Sequence, residues 1–250
     1  MRLIHKAFFL PLLFCMACAG PAHVSKVETN TYPLNNSSPT DSASNRIIKP
    51  YKLKHDAIMN EVLNVSEQPM EKGQPEGVLG DFVCDLSLIQ ARAAYKPANG
   101  KQIDFCFMNN GGLRSTFPKG DIILGKVFEL MPFENQFVVV ILDGPSTKKI
   151  IEFIAAKGGV PVAGIKMGIR DKQAINPMIN NQPFDINKNY TIVTSDYLAN
   201  GGDNLAFMAD IKGKVTLDLK IRDAIVNYLK DEKKKGSRLI VKKDGRIYNE

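Results

Sequence analysis

The sequence predicts a single α+β domain on three observations. Segments with helical spacing and segments rich in β-branched residues both occur, but they do not alternate as strict βαβ units would require. No internal repeat organises the 250 residues, and an apolar fraction of 44% is ordinary for a globular chain with its own core. The net charge of +7 is modest, and much of the basic excess sits in Lys230 to Arg238, which reads as the solvated end of a helix. Bases are not interleaved with aromatics along a strand or groove, so nucleic acid is not an expected partner.

Met1 to Lys6 is short and basic, Ala7 to Ala17 is almost wholly apolar, and small residues follow. This is the layout of a secretory signal peptide over residues 1–17, with an apolar part too short for a mature spanning helix. Cys18 follows Met16-Ala17 as the cysteine of a bacterial lipoprotein processing site does, so Cys18 is the expected lipidation position. Plain secretion is the alternative. The chain is then expected to be exported and lipid-anchored to a bacterial membrane, on its periplasmic or cell-surface face. Residues 18–49 carry Pro, Ser, Thr and Asn in place of apolar residues, and read as the lipidated cysteine and a flexible tether. Beyond it only Cys84 and Cys106 remain, each in an apolar segment, either as two buried thiols or as one disulfide.

The folded domain is expected over residues 50–250. Ala57, Ile58, Val62 and Leu63 fall at helical spacing within Lys54 to Val65. After a Pro- and Gly-containing loop, Leu79, Phe82, Val83, Leu86 and Ile89 give a second helix one buried face, and Pro97 and Gly100 lie beyond its end. Ile103 to Met108 reads as a strand, and Ile122 to Met131 as a short helix ended by Pro132. Gln136 to Leu142 is β-branched enough for a central strand. Asp143-Gly144-Pro145-Ser146 opens a helix over Thr147 to Ala156, which Gly158-Gly159 breaks. Ala163 to Ile169 reads as a strand, Ala174 to Asp185 as an irregular excursion, and Tyr190 to Ser195 as a strand. A helix from Leu217 to Lys233 and a hairpin from Leu239 to Ile247, turned at Asp244-Gly245, complete the chain.

Two glycine-rich loops each follow a strand. The first, Asn109-Asn110-Gly111-Gly112-Leu113-Arg114, carries one cation, and the second, Asp196 to Asp203, ends in Asn200-Gly201-Gly202-Asp203. Glycine permits close approach of backbone to a ligand, and arginine is the fork best matched to phosphate or carboxylate. For either loop alone, a tight turn with a solvated charge is the simpler reading. Between them lies Met131-Pro132-Phe133-Glu134-Asn135, where proline fixes the backbone just before an aromatic ring. A cation, a carboxylate able to accept hydroxyl hydrogens, and the rings of Phe133 and Tyr197 together suit a nucleoside phosphate.

These three motifs, in this order and spacing, resemble the C-terminal domain of the 5′-nucleotidase family, over essentially Tyr51 to Glu250. The resemblance implies the mixed α/β sandwich of that domain and a substrate-binding role. It implies that Phe133 and Tyr197 clamp a base, Asn135 faces its edge, Asp203 binds ribose hydroxyls, and Asn109 and Arg114 lie toward the ribose and phosphate. Family members usually carry a further arginine before the Leu-Gly-Asp motif of the second helix. Here Met70-Glu71-Lys72-Gly73 offers only Lys72.

In that family a separate metallophosphoesterase domain holds two metal ions and cuts the ester. A centre of that kind needs several His, Asp and Asn ligands. This sequence has three histidines, His5, His23 and His55, and no His-x-His or Asn-His pair. No catalytic residue, metal ligand or cofactor is therefore expected on this chain, and divalent metals are expected only on a partner. The expected function is nucleotide or nucleoside recognition for a 5′-nucleotidase-type hydrolase, beside a separate metallophosphoesterase chain. The alternative is a surface lipoprotein that captures nucleosides or nucleotides without hydrolysis.

Overall fold

A computed structural model describes residues 23–33, 35, 38–97 and 100–250; the expected signal peptide and Cys18 lie outside the described residues. In chain order the elements are α1 (Ser42–Met59), β1 (Val62–Ser66), α2 (Val78–Ala94), β2 (Phe105–Phe107), β3 (Gly120–Ile123), α3 (Leu124–Leu130), β4 (Gln136–Leu142), α4 (Gly144–Ala156), β5 (Val162–Ala163), β6 (Ile165–Arg170), β7 (Gln173–Ile179), β8 (Gln182–Pro183), β9 (Tyr190–Ser195), α5 (Asp196–Ala199), α6 (Ala206–Ala209), β10 (Val215–Lys220), α7 (Ile221–Lys234) and β11 (Ile247–Asn249). The chain divides at Ile47, and every sheet lies within Ile48–Glu250.

The central sheet has five strands in the order β10-β4-β9-β2-β5, and only the β2–β9 pair in it is parallel. Its side chains alternate between two cores, as the period of a pleated strand demands. Cys106, Phe137, Val139 and Val193 face one cluster with α2, α3 and α7. Phe105, Phe107, Val138, Val140 and Ile192 face a second cluster with α4 and the sheet β11-β6-β7-β8. Strands β1 and β3 pair antiparallel beside the first cluster. The observed architecture is the α+β domain that the mixed pattern predicts, arranged as the sandwich that the resemblance implies.

Strand direction places the three motifs together. Because β2 and β9 are parallel neighbours, the loops that follow them leave from the same edge of the sheet. Strand β4 runs antiparallel to β9, with Phe137 opposite Ser195, so the Phe133 turn that precedes β4 meets the end of β9. Strand β10 pairs Lys220 with Gln136, which brings the start of α7 to that edge as well.

Several sequence expectations are corrected. The helix expected over Lys54 to Val65 is α1 followed by β1, because the β-branched Val62 and Val65 pair across to Ile123 and Asp121. Helix α1 starts at Ser42, inside the stretch read as tether, where the Asp41 carboxylate accepts from Ala43 N–H at 2.9 Å as a cap. It buries none of its residues. The segment Ile122 to Met131 is strand as far as Ile123 and helix from Leu124. The single strand expected over Ala163 to Ile169 breaks at Gly164, whose φ of +82° and 2.7 Å Cβ approach to the Asp104 carbonyl admit only glycine. Ala174 to Asp185 is largely the β7–β8 hairpin, turned by Asn180 and Asn181 at φ of 50° and 61°. Leu217 belongs to β10, and helix α7 begins at Ile221. The C-terminal hairpin does not form: Leu239 bridges in parallel to Ser66, and β11 runs parallel to β6. Arg246 draws that segment to α2 by pairing with Asp85 at 2.7 Å and 3.0 Å. Cys84 and Cys106 are fully buried and unbridged, neighbouring thiols in one core, and burial pushes the Cys84 thiol up with a further contribution from Cys106.

Candidate functional site

At the sheet edge where the three motifs meet is a cleft of about 360 Å³, lined by Asn109, Gly111, Gly112, Arg114, Phe133, Asn135, Tyr197 and Asp203. All six substrate-binding residues expected from the sequence line it. Phe133 and Tyr197 are 44% and 47% exposed, so both rings offer apolar area that no protein group covers.

The first loop turns through a short 3-10 segment at Asn110–Gly112, with Gly112 N–H donating to the Asn109 carbonyl at 3.1 Å. A Cβ at Gly112 would lie 3.0 Å from Asn109 Oδ1, so glycine there leaves the amide its place. Asn109 Nδ2 donates to Asp203 Oδ2 at 3.0 Å. In the second loop, Ser195 caps the one-turn helix α5 through Leu198 N–H, and Gly201 follows at φ +96°. Tyr197 then donates its hydroxyl to Asp203 Oδ1 at 2.8 Å and accepts from Asp203 N–H at 3.2 Å. A Cβ at Gly202 would meet the Tyr197 ring at 2.5 Å, so the ring lies directly over that glycine. Asp203 itself sits at φ 53°, held there by these bonds. Both carboxylate oxygens are thus oriented from within the protein, yet each keeps acceptor capacity.

Arg114 is anchored by its own N–H to the Leu130 carbonyl at 2.8 Å. Its guanidinium lies 6.0 Å from the Phe133 ring centroid and reaches the Gly111 carbonyl at 3.3 Å. That leaves most of its donors open toward the cleft. Lys72 does not line the cleft; its ammonium donates to the Leu113 carbonyl at 3.1 Å, one residue before Arg114.

Sequence reading missed the groups that hold the Phe133 turn. The Arg222 side chain, 8% exposed, stacks 4.2 Å from the Phe128 ring centroid and donates to the carbonyls of Met131 at 3.4 Å and Pro132 at 3.3 Å. It also pairs with Glu134, which Lys220 meets as well. Hydrogen bonds from Lys220 and Arg222 hold the Glu134 carboxyl down at about 2. Ile221 N–H donates to the Asn135 carbonyl at 2.9 Å, so the start of α7 grips both sides of Phe133. A signal was present: Lys220 and Arg222 put two cations at a helix N-terminus, where the dipole disfavours them without a nearby carboxylate.

The donor set does not fit a two-metal centre. Among the described residues no group of three or more His, Cys, Asp or Glu side chains could hold a metal ion. The cleft can stack, hydrogen-bond and neutralise an anion, and it holds no paired nucleophile and base.

Comparison with known proteins agrees with the fold and with the motifs. A family model of the 5′-nucleotidase, C-terminal domain, matches residues 58–210. The chain is 26% identical over 250 residues to the trifunctional nucleotide phosphoesterase protein YfkN of Bacillus subtilis, covering 91% of this chain and 16% of that protein. It is 26% identical over 179 residues to protein UshA of Yersinia enterocolitica, covering 65% of this chain and 32% of that protein. The 5′-nucleotidase precursor from Thermus thermophilus superposes with a TM-score of 0.69 at 22% identity, over 85% of this chain and 44% of the other. The chain therefore spans less than half the length of each relative, and the structural likeness establishes the fold. With more than half of the chain matched, the protein belongs to the 5′-nucleotidase C-terminal domain family.

Proposed function

We propose that the cleft binds a nucleoside or nucleotide. In this reading Phe133 and Tyr197 clamp the base and Asn135 meets its edge. Asp203 accepts from the ribose hydroxyls, and Asn109 and Arg114 lie toward the ribose and the phosphate. The observation that carries it is the convergence of two half-exposed rings, a pre-oriented carboxylate and an open guanidinium on one cleft. Stacking is worth about 1–3 kcal/mol per contact, and hydrogen bonds to charged groups about 1.5–3 kcal/mol, enough together for micromolar to millimolar affinity.

The chain would be the recognition half of a 5′-nucleotidase-type hydrolase, with a metallophosphoesterase on a separate chain supplying the metals and the attacking water. The family assignment and the nucleotide-phosphoesterase name of the Bacillus relative support this. Lipidation at Cys18 would hold it on a bacterial membrane, on the periplasmic or surface face. The test is calorimetric titration of the protein with adenosine and AMP, followed by an assay of AMP hydrolysis with added divalent metal. Binding without phosphate release is expected. Robust phosphate release by the pure protein would contradict the division of labour. Binding that no metallophosphoesterase from the same cell can exploit would favour ligand capture instead.

A further inference from the structure

Resting on that reading of the cleft, we propose that a second cavity beside it is a subsite for a phosphate on the 2′ or 3′ oxygen of the sugar, so that the preferred ligands are nucleoside bisphosphates. A space of about 200 Å³ shares Asn109, Gly111 and Asp203 with the cleft, and so begins where the Asn109–Asp203 bond closes the first space. Its remaining wall includes Gln74, Asn110, Phe153 and Lys157. A phosphate is about the size of two or three waters at roughly 30 Å³ each, which leaves room for solvent around it.

The lining is prepared for an anion. Lys157 is exposed and lies 5.6 Å from the Phe153 ring centroid, and no carboxylate among the described residues pairs with it. The half-buried Asn110 amide makes no hydrogen bond among the described residues. The carbonyls at the end of α4 would repel an anion, but Gln74 Nε2 donates to those of Lys157 at 2.8 Å and Gly159 at 3.2 Å. Two of those carbonyls are thus engaged by Gln74, while the Lys157 ammonium and the Asn110 side-chain amide keep open donors.

Asp203 lines both spaces, and its two oxygens, each already taking one internal bond, can each accept from a hydroxyl. The one sugar hydroxyl that remains can therefore donate to Asp203 at the seam, beside the sugar oxygen that carries the phosphate. A ligand held there presents its 5′ end to Arg114 in the cleft and the phosphate on that neighbouring oxygen to Lys157 in the second cavity. A phosphate so close to Asp203 is repelled by it, and Lys157 is the charge that offsets the repulsion.

The test compares the affinities of AMP and adenosine 3′,5′-bisphosphate, with the 2′,5′ isomer alongside, for wild type, Lys157→Met and Lys157→Arg at low salt. One of the bisphosphates is expected to bind about five- to tenfold more tightly than AMP, a ratio that shrinks in high salt. Lys157→Met should remove that ratio or invert it, and Lys157→Arg should retain most of it. AMP binding with no gain for either bisphosphate would overturn the inference and leave the cleft reading intact. So would a gain that survives Lys157→Met. Failure of AMP and both bisphosphates to bind would overturn the two together.

Discussion

In the proposed nucleoside cleft, Phe133, Tyr197 and Asp203 would contribute unequally. The two rings supply stacking area, so Phe133→Ala and Tyr197→Ala should each weaken adenosine binding by about 1–3 kcal/mol in calorimetry, with the melting temperature nearly unchanged because both rings are half exposed. Tyr197→Phe keeps the ring and removes the 2.8 Å bond that orients Asp203, so a loss of about 1 kcal/mol is expected. Gly202→Ala puts a methyl into the Tyr197 ring and should reduce affinity by displacing both the ring and the hydroxyl that orients Asp203. The positions of these side chains at one cleft were expected from the resemblance of the three motifs to the family, and all of them line it. The Asn109 bond to Asp203 was not legible, since it joins residues 94 apart, and the two local Tyr197 bonds depend on the turn that places Asp203 at positive φ.

The start of α7 decides whether the Phe133 turn keeps its shape. Arg222→Met removes a nearly buried guanidinium from Met131, Pro132 and Glu134. It should raise the dissociation constant for adenosine severalfold and lower the melting temperature, whereas Glu134→Gln should do less of both. The Glu134 carboxyl is held at about 2, below its ordinary value of about 4. Its contribution to stability is therefore complete above about pH 4 and is lost as pH falls toward 2, so the turn is insensitive to pH near neutrality. Asp81 behaves in the opposite sense. Burial pushes its carboxyl up to about 7 against the pull of Arg246, with Glu76 adding repulsion. Ionising it costs the folded state more than the unfolded one, so its effect is absent below about pH 4 and grows destabilising as pH rises to 7. Asp81→Asn should flatten the fall in melting temperature between those values. Local pattern gave the bounds of β4 and β9 because both are buried, β-branched and uninterrupted. It failed at β7 and at the strand before α7, where half-exposed or short strands owe their form to a partner and to Asn turns at positive φ.

The sandwich gathers three distant motifs at one edge because β2 and β9 are parallel and β4 opposes them. Only the order and spacing of those motifs were visible beforehand; the strand order that unites them depends on long-range pairing. The same edge carries two half-exposed rings, a carboxylate and a guanidinium, and among the described residues no group of three or more His, Cys, Asp or Glu side chains could hold a metal ion. The central claim is that this edge is a nucleoside cleft. Calorimetric titration of the wild-type protein and the Phe133→Ala and Tyr197→Ala variants with adenosine tests it most directly. Saturable one-to-one binding that both variants weaken at least fivefold is the predicted result, while no binding by the wild type, or binding unchanged in both variants, would contradict it.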